Sequence, residues 1–161
     1  MKEKLFILII FGIAFAFVEA AVVSYLRDMS GYNNGYSLDN YKTLFDLGVI
    51  AFIQAEVPIL NNAVITITEI QREVATIIVL FAVSFLSRTK WRQRIGAFLI
   101  VFGVWDIFYY VFLKYLTGWP KSFFDIDIYF MIPVLWIGPV FTPLTASSIL
   151  IIIGVILYLR R

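Results

Sequence analysis

The stretch IGAFLIVFGVWDIFYYVFLKYL, residues 95–116, carries only two charged side chains, Asp106 and Lys114, in an otherwise apolar and aromatic run. It is long enough to cross a bilayer core, which takes roughly 20 residues for ~30 Å. An acid inside such a span costs roughly 2.5–3.5 kcal/mol on insertion scales, which makes Asp106 a suspect for function. Gly96, Gly103, Asp106 and Tyr110 fall on one side of the helix, with Lys114 one turn beyond. Neighbouring backbones are expected to approach that glycine face closely. Tyr110 is expected to donate a hydrogen bond to Asp106, from a face that Trp105 does not share.

Three more runs have the same character: about 5–26, 66–86 and 143–159. The chain is 61% hydrophobic with a mean hydropathy of +0.90, far above the ~45–50% apolar share of soluble domains. The fold expected is an all-α integral membrane protein of four transmembrane helices, forming one domain over residues 1–161. The apolar part of the first run exceeds a signal-peptide core of ~7–15 residues, so it reads as a retained span. Thr66 and Glu69 fit a capping box at the start of the second. Thr142 followed by Pro143 fits the start of the fourth.

Two apolar segments are too interrupted for spans. Residues 44–60 contain Asp46, Gln54, Glu56 and Pro58; residues 123–141 contain Asp125, Asp127, Pro133, Gly138 and Pro139. Both read as interfacial or re-entrant segments. The SGYNNGYS run before the first of them is a string of turn residues, and Arg27 to Thr43 reads as a polar loop.

The basic residues set an orientation. Lys2, Lys4, Arg88, Lys90, Arg92, Arg94, Arg160 and Arg161 fall on the side of the termini, against Arg27, Lys42 and Lys121 on the other. The positive-inside rule then puts both termini in the cytoplasm of a cell (inner) membrane. Glu19 lies about 21 Å from the inner end of its span, Glu73 about 20 Å and Asp106 about 17 Å, at 1.5 Å per residue. All three fall in the outer half of the core. Arg72 is level with them, Glu69 and Lys114 sit just outside, and the two interrupted segments lie on the same side, placed to roof a site. Arg72 is the expected partner of Asp106, Glu73 or Glu19, and Arg27 is expected to tolerate replacement better than Arg72.

Blander readings stand beside this one. Glu69 also reads as a cap, Arg72 and Glu73 as a structural ion pair, and Glu19 as a helix-packing hydrogen bonder. Asp125 and Asp127 read by default as solvated loop acids, with Asp127 also a ligand-binding candidate. Trp105, Trp119 and Trp136 read mainly as an interfacial belt, and alternatively as walls of a pocket.

The chain has no Cys and no His. Disulfides, thiolate chemistry, haem ligation by His and His-ligated zinc are excluded. No cofactor is expected. A bound metal would be hard and oxygen-ligated, Mg²⁺ or Ca²⁺, held by Glu19, Glu73, Asp106 and Asp127. No soluble basic face exists to bind nucleic acid; the partners expected are membrane lipids. Small residues recur at Gly12, Ala16, Ala20 and Ser24, a stripe suited to close helix contact and one route to a homodimer.

At FVEAAVV, REVAT, GVWDIFYYVFLK, GWP and IPVLWIGPV the chain resembles a group of small multi-span bacterial membrane proteins of unknown function. The resemblance covers most of the chain. It implies a cell-membrane location and carries no activity. Three function classes stay open: a site open to the outside that binds or transports a proton, cation or small solute; an acid–base enzyme acting on a lipid or isoprenoid at the outer leaflet, cofactor-free or Mg-assisted, with Asp106, Glu73 and Glu19 as catalytic groups; and a structural or assembly subunit. Glu69, Arg72, Tyr110, Lys114 and Asp127 complete the ligand-binding set.

Overall fold

The computed structural model describes residues 2–30, 41–55, 60, 62–87 and 90–160. Most of the SGYNNGYS run, Glu56, Pro58, Arg88 and Arg161 lie outside the described residues. Four helices, α1 (Lys2–Ser30), α2 (Ala63–Ser87), α3 (Trp91–Thr117) and α4 (Phe141–Leu159), carry most of the chain. Each is long and apolar enough to cross a membrane.

The glycine face of α3 decides how the bundle packs. A Cβ on Gly96 would sit 2.6 Å from Tyr158 N and 2.7 Å from Gly154 O. One on Gly103 would sit 2.7 Å from Ser147 O. Gly96 therefore meets Gly154, and Gly103 meets Ser147. Two small pairs with matching sequence spacing lock α3 and α4 together antiparallel. The opposite flank of α3 receives α1, which runs parallel to it: Gly12 lies against Val101 and Val104, and Arg27 reaches Trp119. The core between them is Leu8, Ala16, Ile100 and Val101, with Leu80 of α2.

The small-residue stripe is thus used inside the chain. Ala16 and Ala20 are fully buried, and Gly12 faces the α3 backbone.

The all-α expectation is corrected by a four-stranded antiparallel sheet, β1 (Tyr41–Asp46), β2 (Ala51–Ala55), β3 (Ile126–Phe130) and β4 (Leu135–Pro139), in the order β1-β2-β4-β3. The two interrupted segments are two hairpins, joined where Ala51, Phe52 and Ile53 pair with Ile137, Trp136 and Leu135. An apolar run this short fits a strand as well as a piece of helix, and the residues read as interruptions divide between the two parts of a hairpin: Gln54, Asp127, Gly138 and Pro139 lie in strands, and Pro133 lies between β3 and β4. Asp46 accepts the Gly48 N–H at 2.7 Å, and Gly48 takes φ 80° to close the first hairpin. One hairpin joins α1 to α2 and the other joins α3 to α4, so the sheet closes the end of the bundle away from the termini.

Three helix boundaries also differ from expectation. Asn62, not Thr66, caps α2: its Oδ1 accepts from Val64 N at 2.8 Å and Ile65 N at 3.3 Å. Thr142 lies inside α4 and donates to Val49 O at 2.9 Å, tying that helix to the first hairpin. Arg27 belongs to the last turn of α1, not to a loop.

Candidate functional site

Beneath the sheet, α1, α2, α3 and β3 enclose a polar cavity of about 50 Å³. A cavity needs ~10–15 Å³ to admit a water molecule, so this one has room for water. Glu19, Glu69, Glu73, Asp106 and Asp127 line it, with Arg27, Arg72, Thr76, Trp105 and Tyr110. The three acids read from sequence as level with one another do share one cavity. Glu69, Arg72, Tyr110 and Asp127 join them there.

The charges fall into two paired groups and two single acids. In the first group Arg72 lies between two carboxylates. It pairs with Glu19 across the helices and with Glu69 three residues earlier on its own helix, where Arg72 Nε donates to Glu69 Oε2 at 2.8 Å. Thr76 adds a 3.3 Å hydrogen bond to Glu19 Oε2. The Arg72 side chain is 22% exposed, so this edge of the cavity reaches the surface.

The second group is almost fully buried. Arg27 NH2 donates to Asp127 Oδ1 at 2.9 Å, with the two side chains 2% and 1% exposed. Tyr110 donates its hydroxyl to Asp127 Oδ2 at 3.0 Å, and the Arg27 guanidinium lies 3.9 Å from the Trp119 ring centroid. Burial pushes the Asp127 carboxyl up; the Arg27 charge and the Tyr110 hydroxyl pull it back. Asp127 is therefore a buried partner and not a solvated loop acid. Arg27 is the residue that sequence reasoning missed. It stands at the polar end of an apolar run, where a charge ordinarily snorkels to water, and its partner is 100 positions away. Alternation along β3 is the signal: Asp127 faces inward between the exposed Ile126 and the half-buried Ile128.

Glu73 and Asp106 have no cation partner among the described residues. Glu73 Oε2 accepts the Met131 backbone N–H at 2.9 Å, which fastens the end of β3 to α2. Asp106 Oδ2 accepts the Ser147 hydroxyl at 2.7 Å. Of the three acids expected as partners of Arg72, Glu19 is the one that pairs with it; Asp106 does not, because it shares the glycine face turned to α4 while Arg72 turns toward α1. Tyr110 is likewise turned to Asp127 instead of Asp106. Trp105 does line the same cavity as Asp106. It is 5% exposed, and its indole N–H has no acceptor among the described residues. Trp105 and Trp119 are interior residues, not members of a belt.

Lys114 is not part of this site. Its ammonium donates to Gly118 O at 2.9 Å and Pro120 O at 2.6 Å, on the far side of Tyr110. Asp125 organises the same loop by accepting the Lys121 and Ser122 N–H groups.

Glu19, Glu73, Asp106 and Asp127 surround the cavity without converging. Among the described residues no three acids are grouped to hold a metal ion, so the expected oxygen-ligand set for Mg²⁺ or Ca²⁺ is not assembled. No protein-family model matches the chain, and comparison with curated proteins and with solved structures yields no match. The functional reading rests on the chemistry of the cavity itself.

Proposed function

We propose that the chain is a multi-pass membrane protein whose cavity binds and exchanges a proton or a small monovalent cation. The observation that carries this reading is the charge imbalance. Among the described residues, five carboxylates line the cavity with two guanidiniums. Each guanidinium is already engaged, Arg27 by Asp127 and Arg72 by Glu19 and Glu69. Glu73 and Asp106 each receive one hydrogen bond from a neutral donor. An uncompensated buried charge is costly, so a proton, a cation or ordered water must complete these sites.

The volume supports this reading. A drug-sized organic ligand needs a pocket of ~300–1,000 Å³; about 50 Å³ fits a hydrated proton or a small ion. That is little room for a lipid or isoprenoid headgroup, which weighs against the enzyme reading. The structural reading accounts for the two engaged groups and for the single hydrogen bonds to Glu73 and Asp106, but leaves those two carboxylates without a cation and the Trp105 N–H without an acceptor among the described residues.

The test is flux in proteoliposomes loaded with a pH-sensitive dye, under an imposed proton or Na⁺ gradient. Wild type should dissipate the gradient faster than empty vesicles, and Glu73→Gln with Asp106→Asn should abolish that difference. Flux unaltered by both changes would sink the proposal. The orientation, termini in the cytoplasm and cavity nearer the outer face, follows from the basic asymmetry. Because the chain has no Cys, a Cys added after Arg161 can be labelled alone. Labelling of intact cells by an impermeant reagent would reverse the orientation.

A further inference from the structure

A second cavity, separate from the first, opens between α3, the loop after it and the start of α4. It measures about 380 Å³ and is lined almost wholly by apolar atoms. Ile107, Val111 and Leu144 form its inner walls, and Lys114, Lys121 and Ser122 stand at its mouth. Ile107, Val111 and Lys114 follow one stripe of α3, about 10 Å long at 1.5 Å per residue. The gradient along the stripe runs from hydrocarbon to cation in the direction from bilayer core to headgroups. We infer that this groove is a binding site for one anionic phospholipid, with an acyl chain along Ile107 and Val111 and the phosphate at Lys114 and Lys121.

Three features favour a built site over lysines that merely snorkel. The Lys114 ammonium is fixed by two backbone carbonyls, Gly118 O and Pro120 O, which leaves one of its three protons to donate. The carbonyls hold it at the groove mouth, so little side-chain entropy is lost on binding. Asp125, the nearby acid, is occupied by the Lys121 and Ser122 N–H groups at 2.7 and 3.2 Å, which also holds Lys121 beside the groove. Finally, the apolar volume is several times that of the polar cavity and suits a chain, not a free ion. Free phosphate would gain nothing from Ile107, Val111 and Leu144.

The groove also touches the first site. Tyr110 lines both cavities, with its ring as a wall of the groove and its hydroxyl on Asp127. A lipid chain against that ring would help to hold Tyr110 on the buried carboxylate. The lipid site does not depend on the proton proposal and can fail separately from it.

The experiment is native mass spectrometry of the purified full chain in detergent. It is titrated with phosphatidylglycerol, with phosphatidylcholine of the same acyl chains, and with glycerol phosphate. Phosphatidylglycerol should be retained preferentially, and Lys121→Gln should weaken it about fivefold, the effect of one basic side chain at an anionic lipid surface. Val111→Trp should lower retention of phosphatidylglycerol by filling the groove while leaving both lysines in place. Both positions are exposed, so neither change threatens folding. Equal retention of the two lipids would overturn the inference. So would binding of glycerol phosphate as tight as that of the lipid, or wild-type retention by both variants.

Discussion

Replacing Arg27 by Leu should be among the most damaging single changes in this chain, although Arg27 looks like a flanking charge. The change leaves the Asp127 carboxylate at 1% side-chain exposure with the Tyr110 hydroxyl as its remaining side-chain donor. Removing one partner of a buried ion pair costs about 3–5 kcal/mol. Loss of the guanidinium from the Trp119 face adds up to ~2 kcal/mol, the value for a desolvated cation–π contact. Arg72→Leu should cost less. Arg72 is 22% exposed, far more than either member of the Arg27–Asp127 pair. The double variant Arg27→Leu with Asp127→Leu removes both charges and should recover most of the loss, since buried pairs exchanged for apolar residues are often neutral or stabilising. The assay is reversible unfolding in mixed micelles, followed by tryptophan fluorescence, for the two single Arg variants, Asp127→Leu and the double variant. The reasoning fails if Arg27→Leu stays within ~0.5 kcal/mol of wild type, the range of ordinary surface changes. It fails equally if the double variant is no more stable than either of its single parents.

Gly96→Ala should cost about 1–3 kcal/mol, the usual range for overpacking, because its Cβ would meet backbone atoms of Gly154 and Tyr158 that have no room to move; an unchanged melting temperature would contradict the packing described. At high pH the second hairpin should weaken. The Tyr129 hydroxyl donates to Pro139 O at 2.7 Å, and burial pushes its pKa up to about 12. The unfolded chain releases this proton near pH 10 and the folded chain keeps it, so stability falls between those values. Tyr129→Phe should flatten that fall; an identical slope in the two proteins would show that Tyr129 does not contribute.

Much of the frame could be read from residues alone, for a physical reason. A helix able to cross a membrane must be continuously apolar, so α1 to α4 stand out as runs, and an acid inside one is conspicuous. Glu19, Glu73 and Asp106 are identifiable on that ground, and counting residues from the helix ends is enough to group them; the three line one cavity. The sheet was hidden because its strands are short and their decisive pairing, β2 with β4, joins positions far apart in sequence. Asp46 and Gly138 looked like breaks in a helix and are parts of hairpins. Partner choice was hidden for a related reason. Which way Asp106 turns depends on the fit of Gly96 and Gly103 against Gly154 and Ser147, and the matched spacing of those pairs is visible only once α3 and α4 are set side by side. Depth narrowed the partners of Arg72 to three acids; packing then selected Glu19 and added Glu69.

The central claim is that Glu73 and Asp106 take up and release a proton or exchange a cation in the cavity. Infrared difference spectroscopy of the protein in lipid, across a pH step and then an exchange of Na⁺ for a bulky organic cation, tests it most directly. Wild type should show a carboxyl change on at least one of these steps. Glu73→Gln with Asp106→Asn should lose it while retaining a wild-type melting curve. A carboxyl signal of full size in that double variant would contradict the account, as would a wild type silent on both steps.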